Sequence, residues 1–160
     1  MKVEEAMNVE EAMKKAAIVW LAGQPVWCRW LDGALYVVHG PGEQPAPPLA
    51  LSTVDVSVRG DHGGRILTWP ASVERVGPGS EEWDKLVPQL AAKRLNASGT
   101  TEQTAARWAA TCVVSRLTPA GEPTEAGPTL PSGSGAAPPR PTDATRRTAN
   151  PFRLHRVRRT

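Results

Sequence analysis

Two residues, Asp32 and Gly33, place the most demanding constraint on this chain. They separate Pro25-Val-Trp-Cys-Arg-Trp-Leu31 from Ala34-Leu-Tyr-Val-Val38, two runs rich in β-branched and aromatic residues. An Asp-Gly pair between such runs signals a two-residue hairpin. A type I′ turn needs positive φ at both central positions, and glycine adopts it without strain. A lone hairpin is marginal in water, so further strands must pack beside it. They follow in the sequence. Val54, Val56 and Val58 alternate with Asp55, Ser57 and Arg59, the period of a half-buried strand. After a Gly60–Gly64 loop, Arg65–Val76 forms a longer strand with Leu67, Trp69, Ala71 and Val73 on one face. Pro70 lacks an N–H for a ladder and marks an edge or a bulge there. Between the two strand pairs, His39–Leu49 holds four prolines and two glycines and is a loop.

Beyond the strands, Ser80 is a helix N-cap, with Glu81 and Glu82 at the positive end and Lys93 and Arg94 at the negative end. Trp83, Leu86, Val87, Leu90, Ala91 and Leu95 form its apolar stripe, and Pro88 is expected to kink or restart it. Thr100–Ala106 reads as a turn or short helix. Arg107–Leu117 reads as a last strand, with Cys112 near its centre. At the other end, Val3-Glu-Glu-Ala-Met7 recurs as Val9-Glu-Glu-Ala-Met13, in residues that favour a helix up to about Ala17. Helix, four strands, helix and strand in that order predict a small barrel or an α+β roll.

The formal net charge of +3 is unevenly placed. Residues 1–139 carry 12 basic and 15 acidic side chains, whereas residues 140–160 carry seven arginines and one acid. The body therefore has no electrostatic footprint for nucleic acid. From Pro119 to Thr160 there are eight prolines and four glycines but only four large apolar residues. Such a segment buries too little surface to offset its ordering entropy, so a disordered tail is expected. Its Arg153–Arg159 stretch could grip nucleic acid, against the plainer reading of a solubilising tail. No apolar run is long enough to span a bilayer. Gln24, Pro25 and Val26 stand where a signal-peptide cleavage site would fall, and a cytoplasmic protein is expected.

No phosphate-binding Gly-rich loop, Gly-x-Ser-x-Gly elbow, Cys-x-x-Cys or His-Glu-x-x-His occurs. His39, His62 and His155 lack metal-ligand spacing, so no metal site is expected and no catalytic residue is assigned. Cys28 and Cys112, in apolar strand runs, are expected to be buried, reduced and inert. Six tryptophans against one tyrosine and one phenylalanine could fill a core or stack on a flat ring. Trp27 and Trp30 differ in parity, so one points inward and the other toward a partner or ligand. Arg29, Arg59, Arg65, Arg94 and Arg107 lie at element ends, where two of them could grip a phosphate or simply pair with surface acids.

The order of elements, the Trp-rich strand, the Asp-Gly hairpin, Leu35-Tyr-Val-Val38 and Val54-x-Val-x-Val-Arg-Gly60 together resemble a known family. So does the run Leu67-Thr-Trp-Pro-Ala-Ser-Val-Glu-Arg-Val76, followed by Pro78-Gly-Ser-Glu-Glu-Trp83 and Lys93-Arg-Leu-Asn96. The family is the pyridoxamine 5′-phosphate oxidase-like, flavin-nucleotide-binding split β-barrels. The resemblance spans roughly residues 17–118. It implies a mainly β (α+β) split barrel of five or six antiparallel strands with a leader helix over 1–16 and one covering helix. It also implies a homodimer holding FMN, or in some branches a deazaflavin or haem, in the groove between subunits and, if an enzyme, a flavin-dependent oxidoreductase. Arg59, Arg65 or backbone amides around Gly63-Gly64 would then take the phosphate, Thr68 would join the cofactor-binding residues, and Trp27, Trp30 or Trp108 would pack near the ring. The chain departs from the family in the 39–49 loop, which has no Ser, Thr, Lys or Arg. It departs again at Ile66 and Thr68, where some oxidases carry Gln and Arg. The alternative is a barrel without cofactor, a dimeric binding or structural module.

Overall fold

The computed structural model describes residues 9–60 and 65–126 together with Thr142. The chain divides after Leu130 into two units, and every element below lies in the first. A short helix α1 (Val9–Lys14) leads into β1 (Ile18–Leu21), β2 (Gln24–Trp27), β3 (Arg29–Leu31) and β4 (Ala34–His39). Then come β5 (Thr53–Arg59), β6 (Arg65–Val76), helices α2 (Glu81–Lys93) and α3 (Thr101–Thr111), β7 (Val113–Pro119) and β8 (Glu125–Ala126).

The hairpin at Asp32-Gly33 forms as its chemistry dictates, with φ of 48° and 79° and Leu31 opposite Ala34. A second turn of the same kind joins β1 to β2 through Ala22 and Gly23, at φ 48° and 81°. No turn signal marks Ile18–Leu21 as a strand in the sequence, because alanine at the first turn position stands where Asn or Asp would announce one. All strand pairings among the described residues are antiparallel, in the order β2-β1-β5-β6-β7-β4-β3, with β8 added to β6. The two ends of that path, β2 and β3, are consecutive in the chain and separated only by Cys28. One bent strand therefore belongs to both ends, and the sheet nearly closes into a barrel. The expected barrel is present, with eight strands among the described residues rather than five or six.

Alternate residues face inward. Val19, Leu21, Val26, Cys28, Leu35, Val37, Val56, Val58, Leu67, Trp69, Ala71 and Leu117 form the interior core, which Val9 and Met13 of α1 join. The alternation runs unbroken through Cys28, so Val26, Cys28 and Trp30 point in while Trp27 and Leu31 point out. On the outer side, Ala34, Tyr36, Val38 and Val114 pack against Trp83, Leu86, Val87 and Leu90 of α2 and Trp108 of α3. β4 is thus covered on both faces, and its first five residues are all buried. That is why Ala34–Val38 reads as a continuous apolar run rather than an alternating one.

Several expectations need correction. Two helices cover the sheet, not one, because Arg107–Thr111 belongs to α3. Thr100 caps that helix in a capping box, its hydroxyl accepting from the Gln103 amide at 3.2 Å while the Gln103 side chain accepts from the Thr100 amide at 3.0 Å. The β-prone run at Cys112–Leu117 drew the expected strand back over these helical residues. Cys112 is accordingly the C-cap of α3, and Cys28 is the joint between two strands. α2 does not restart at Pro88 but runs through it, with Pro88 on the exposed side. Leu95 lies past the helix end, off the apolar stripe and 72% exposed. α1 ends at Lys14, short of Ala17. Pro70 is not at a sheet edge: it lies opposite Asp55 of β5 and, on its other side, in the gap between β7 and β8, where no ladder needs its missing N–H. β7 stops opposite Ala71, and the Pro70 carbonyl accepts from the Ala120 amide at 2.9 Å. Beyond residue 118, Glu125–Ala126 pair with β6 as β8. The His62 loop, the first repeat of the leader, His155 and the arginine-rich end lie outside the described residues.

Candidate functional site

The six residues singled out as cofactor-facing fall into three groups. Arg59 and Thr68 lie on the outward face of β1, β5 and β6. Trp20 stands opposite Ser57, and Ser57 opposite Thr68. The Arg59 guanidinium lies over the Trp20 ring, 4.5 Å from its centroid, and the Ser57 and Thr68 hydroxyls share a hydrogen bond of 2.8 Å. Thr68 also donates to the Glu125 carboxylate of β8 at 3.4 Å. The backbone of Arg65 pairs with Arg59 at the start of β6, and its side chain lies outside the described part. This face is outside the cluster covered by α2 and α3, and Ile18 upon it is 49% exposed.

Trp30 belongs to the barrel interior, edge-on to Trp69 with ring centroids 6.1 Å apart. The Trp69 indole N–H is buried without a partner among the described residues.

Trp27 and Trp108 come together on the opposite side, around a residue the sequence reading did not single out. Glu43, in the loop after β4, has a side chain only 3% exposed. Its carboxylate accepts from Trp108 Nε1 at 3.0 Å, Arg107 Nη2 at 2.7 Å and Arg94 Nε at 2.6 Å. Arg94 also lies over the Trp27 ring, 5.4 Å from the centroid. Burial alone would raise the Glu43 pKa. The hydrogen bonds from Trp108, Arg107 and Arg94 and the charge of Arg94 outweigh it, so the carboxyl titrates below its usual range. A cleft of about 300 Å³ opens in front of the two guanidiniums, lined also by Pro41, Gly42, Asn96, Ala97 and Ser98.

Backbone geometry brings the loop to this position. Gly40 has φ 139°, and a Cβ there would lie 2.9 Å from Cys112 Cα, so only glycine lets the loop cross the end of α3. Next along, Gln44 spans the seam where β2 and β4 do not pair. Its amide accepts from the Trp27 N–H at 2.7 Å and donates to the Trp27 and Val38 carbonyls, both at 2.9 Å. No periodicity announces either Glu43 or Gln44, because both sit in a Pro-rich loop whose partners are remote in sequence.

Burial pushes the Cys28 thiol up to about 12, which makes it a poor nucleophile. His39 is lowered by burial and by the charge of Arg75. Among the described residues no cluster of three His, Cys, Asp or Glu could hold a metal ion, and no helix is long and apolar enough to cross a membrane.

No family model and no curated protein matches the sequence. Among solved structures the chain is similar to HutZ, the heme storage protein from Vibrio cholerae. The TM-score is 0.50 and the identity 15%, over 72% of this chain and 89% of that one. At that identity the likeness concerns architecture and not chemistry. This chain has the split-barrel fold.

Proposed function

We propose that this split barrel binds a flat, anionic cofactor of the flavin- or deazaflavin-nucleotide type on the outward face of β1, β5 and β6, in a redox role. One observation carries the reading. The Arg59 guanidinium has no ion-pair partner among the described residues and rests on an aromatic ring beside two hydroxyls. Stacking on Trp20 holds the guanidinium plane and leaves its N–H edge free for a phosphate. The reading includes a second copy of the chain covering Ile18 and Trp20, as the family resemblance implies. HutZ brings haem into the comparison, since a porphyrin is also flat and anionic. The described residues of the three strands offer no His, Cys, Met or Tyr as an axial ligand, which favours a flavin.

A second reading rests on Glu125. Its carboxylate, 3.4 Å from the Thr68 hydroxyl, puts negative charge where a phosphate would approach. That favours a barrel without cofactor, serving as a binding or structural module.

Titration of the purified protein with FMN, a deazaflavin nucleotide and haem, followed by tryptophan emission and visible absorbance, separates the two. Quenching by a flavin is expected, with Arg59→Ala weakening it about tenfold. No response to any of the three would remove the cofactor reading. Light scattering on an eluting size-exclusion peak tests the dimer.

A further inference from the structure

We propose that the cleft between the Pro41–Glu43 turn and the adjoining ends of α2 and α3 is a second site, which binds a phosphate group, either inorganic or as a small phosphomonoester. It lies apart from the β1–β5–β6 face and does not depend on a flavin being bound there.

The charge arrangement points outward. Glu43 is 3% exposed, whereas the side chains of Arg94 and Arg107 are 26% and 33% exposed. An anion entering the cleft therefore meets two guanidiniums with a carboxylate behind them, a local charge of +1. Their donors are partly spent. Arg94 uses Nε on Glu43 and Nη1 on the Leu95 carbonyl, and Arg107 uses Nη2 on Glu43 and Nη1 on the Pro41 carbonyl. Nη2 of Arg94 and Nε of Arg107 have no partner among the described residues.

Glu43 has already ordered both long side chains, so little conformational entropy is lost when a ligand arrives. Asn96 adds an amide from a backbone held at φ 57°, and Ser98 adds a hydroxyl. Neither side chain has a hydrogen-bond partner among the described residues. Gly42 completes the wall at φ 78°, where a Cβ would lie 2.7 Å from Arg107 Nη1. Two arginines, an amide and a hydroxyl line the one cleft, more donors than the two oxygens of a carboxylate need, which suits a tetrahedral oxyanion better. A volume of about 300 Å³ leaves room for a small ester group beyond the phosphate.

The test uses the full chain, with inorganic phosphate and phenyl phosphate as probes and acetate as the carboxylate control, followed by calorimetry and phosphorus NMR line width. Millimolar binding of both phosphates is expected, weakening as sodium chloride is added. Tryptophan emission should change with it, because Arg94 lies on Trp27. Asn96→Gly keeps the left-handed backbone and, like Ser98→Ala, leaves the Glu43 bonds alone. The pair together should weaken phosphate about tenfold. Arg107→Gln, checked for folding by circular dichroism, should weaken it at least as much, and Arg75→Gln, at an exposed arginine of β6 outside both sites, should leave it unchanged. Preference for phenyl phosphate over inorganic phosphate would identify an ester as the ligand, and equal affinity the free ion. Absence of binding at millimolar phosphate, equal affinity for acetate, insensitivity to the Asn96 and Ser98 changes, or loss in Arg75→Gln would each overturn the proposal.

Discussion

At the scale of single residues, Glu43 does most to hold the loop after β4. A carboxylate this buried would be costly alone, and three donors from two helices compensate it. Glu43→Ala should cost about 2–4 kcal/mol in denaturant unfolding. That is less than for a fully buried triad, because the arginines keep some water. Acid should have a related effect. The folded pKa of Glu43 lies below its unfolded value, so its contribution is present above about pH 4.3 and is lost as pH falls through the folded pKa. His39 acts in the same direction at higher pH. Its folded pKa is lowered, so the unfolded chain binds its proton first, and stability declines once pH drops below about 6.5. Unfolding midpoints measured across this range should fall in two stages. Glu43→Gln should shrink the lower stage and leave the upper one.

At the scale of elements, the strands were largely legible because period-two burial writes itself into sequence. Val54, Val56 and Val58, or Leu67, Trp69 and Ala71, cannot alternate without a face to bury. The Ser80-capped helix was legible for a similar reason: its stripe repeats at helical spacing. α3 was not. Its inward residues are only Thr104 and Trp108, too sparse a stripe to outweigh the neighbouring Val113-Val114, and the Thr100/Gln103 box went unweighed. Pro88 tests how far packing overrides propensity. Proline removes the bond to the Asp84 carbonyl, yet the buried stripe carries α2 past it. Pro88→Ala should raise stability by about 1–2 kcal/mol in thermal or denaturant unfolding, the restored bond being partly offset by a freer unfolded chain.

For the whole molecule, the question is how a sheet with two ends becomes a barrel. The bend at Cys28 brings β2 and β3 to opposite ends of the strand order, and Gln44 seals the seam that remains. Gln44→Ala would strand the Trp27 N–H and two carbonyls in a partly buried seam, and should cost about 2–3 kcal/mol. Faster hydrogen exchange at the Trp27 amide, with β6 and β7 unchanged, would distinguish local opening from general loosening.

The sequence alone determined the hairpin at Asp32-Gly33, the inward valines, the opposed directions of Trp27 and Trp30, and the capped helix. Each follows from interactions between residues close along the chain, where turn chemistry and side-chain period suffice. Only the tertiary structure decided that β2 and β3 join the ends of one sheet, that Glu43 gathers Arg94, Arg107 and Trp108, and that Gln44 bridges the seam. Those contacts link residues up to 65 positions apart. Their energy comes from burying charge and backbone among remote partners, and no local pattern in the chain records it.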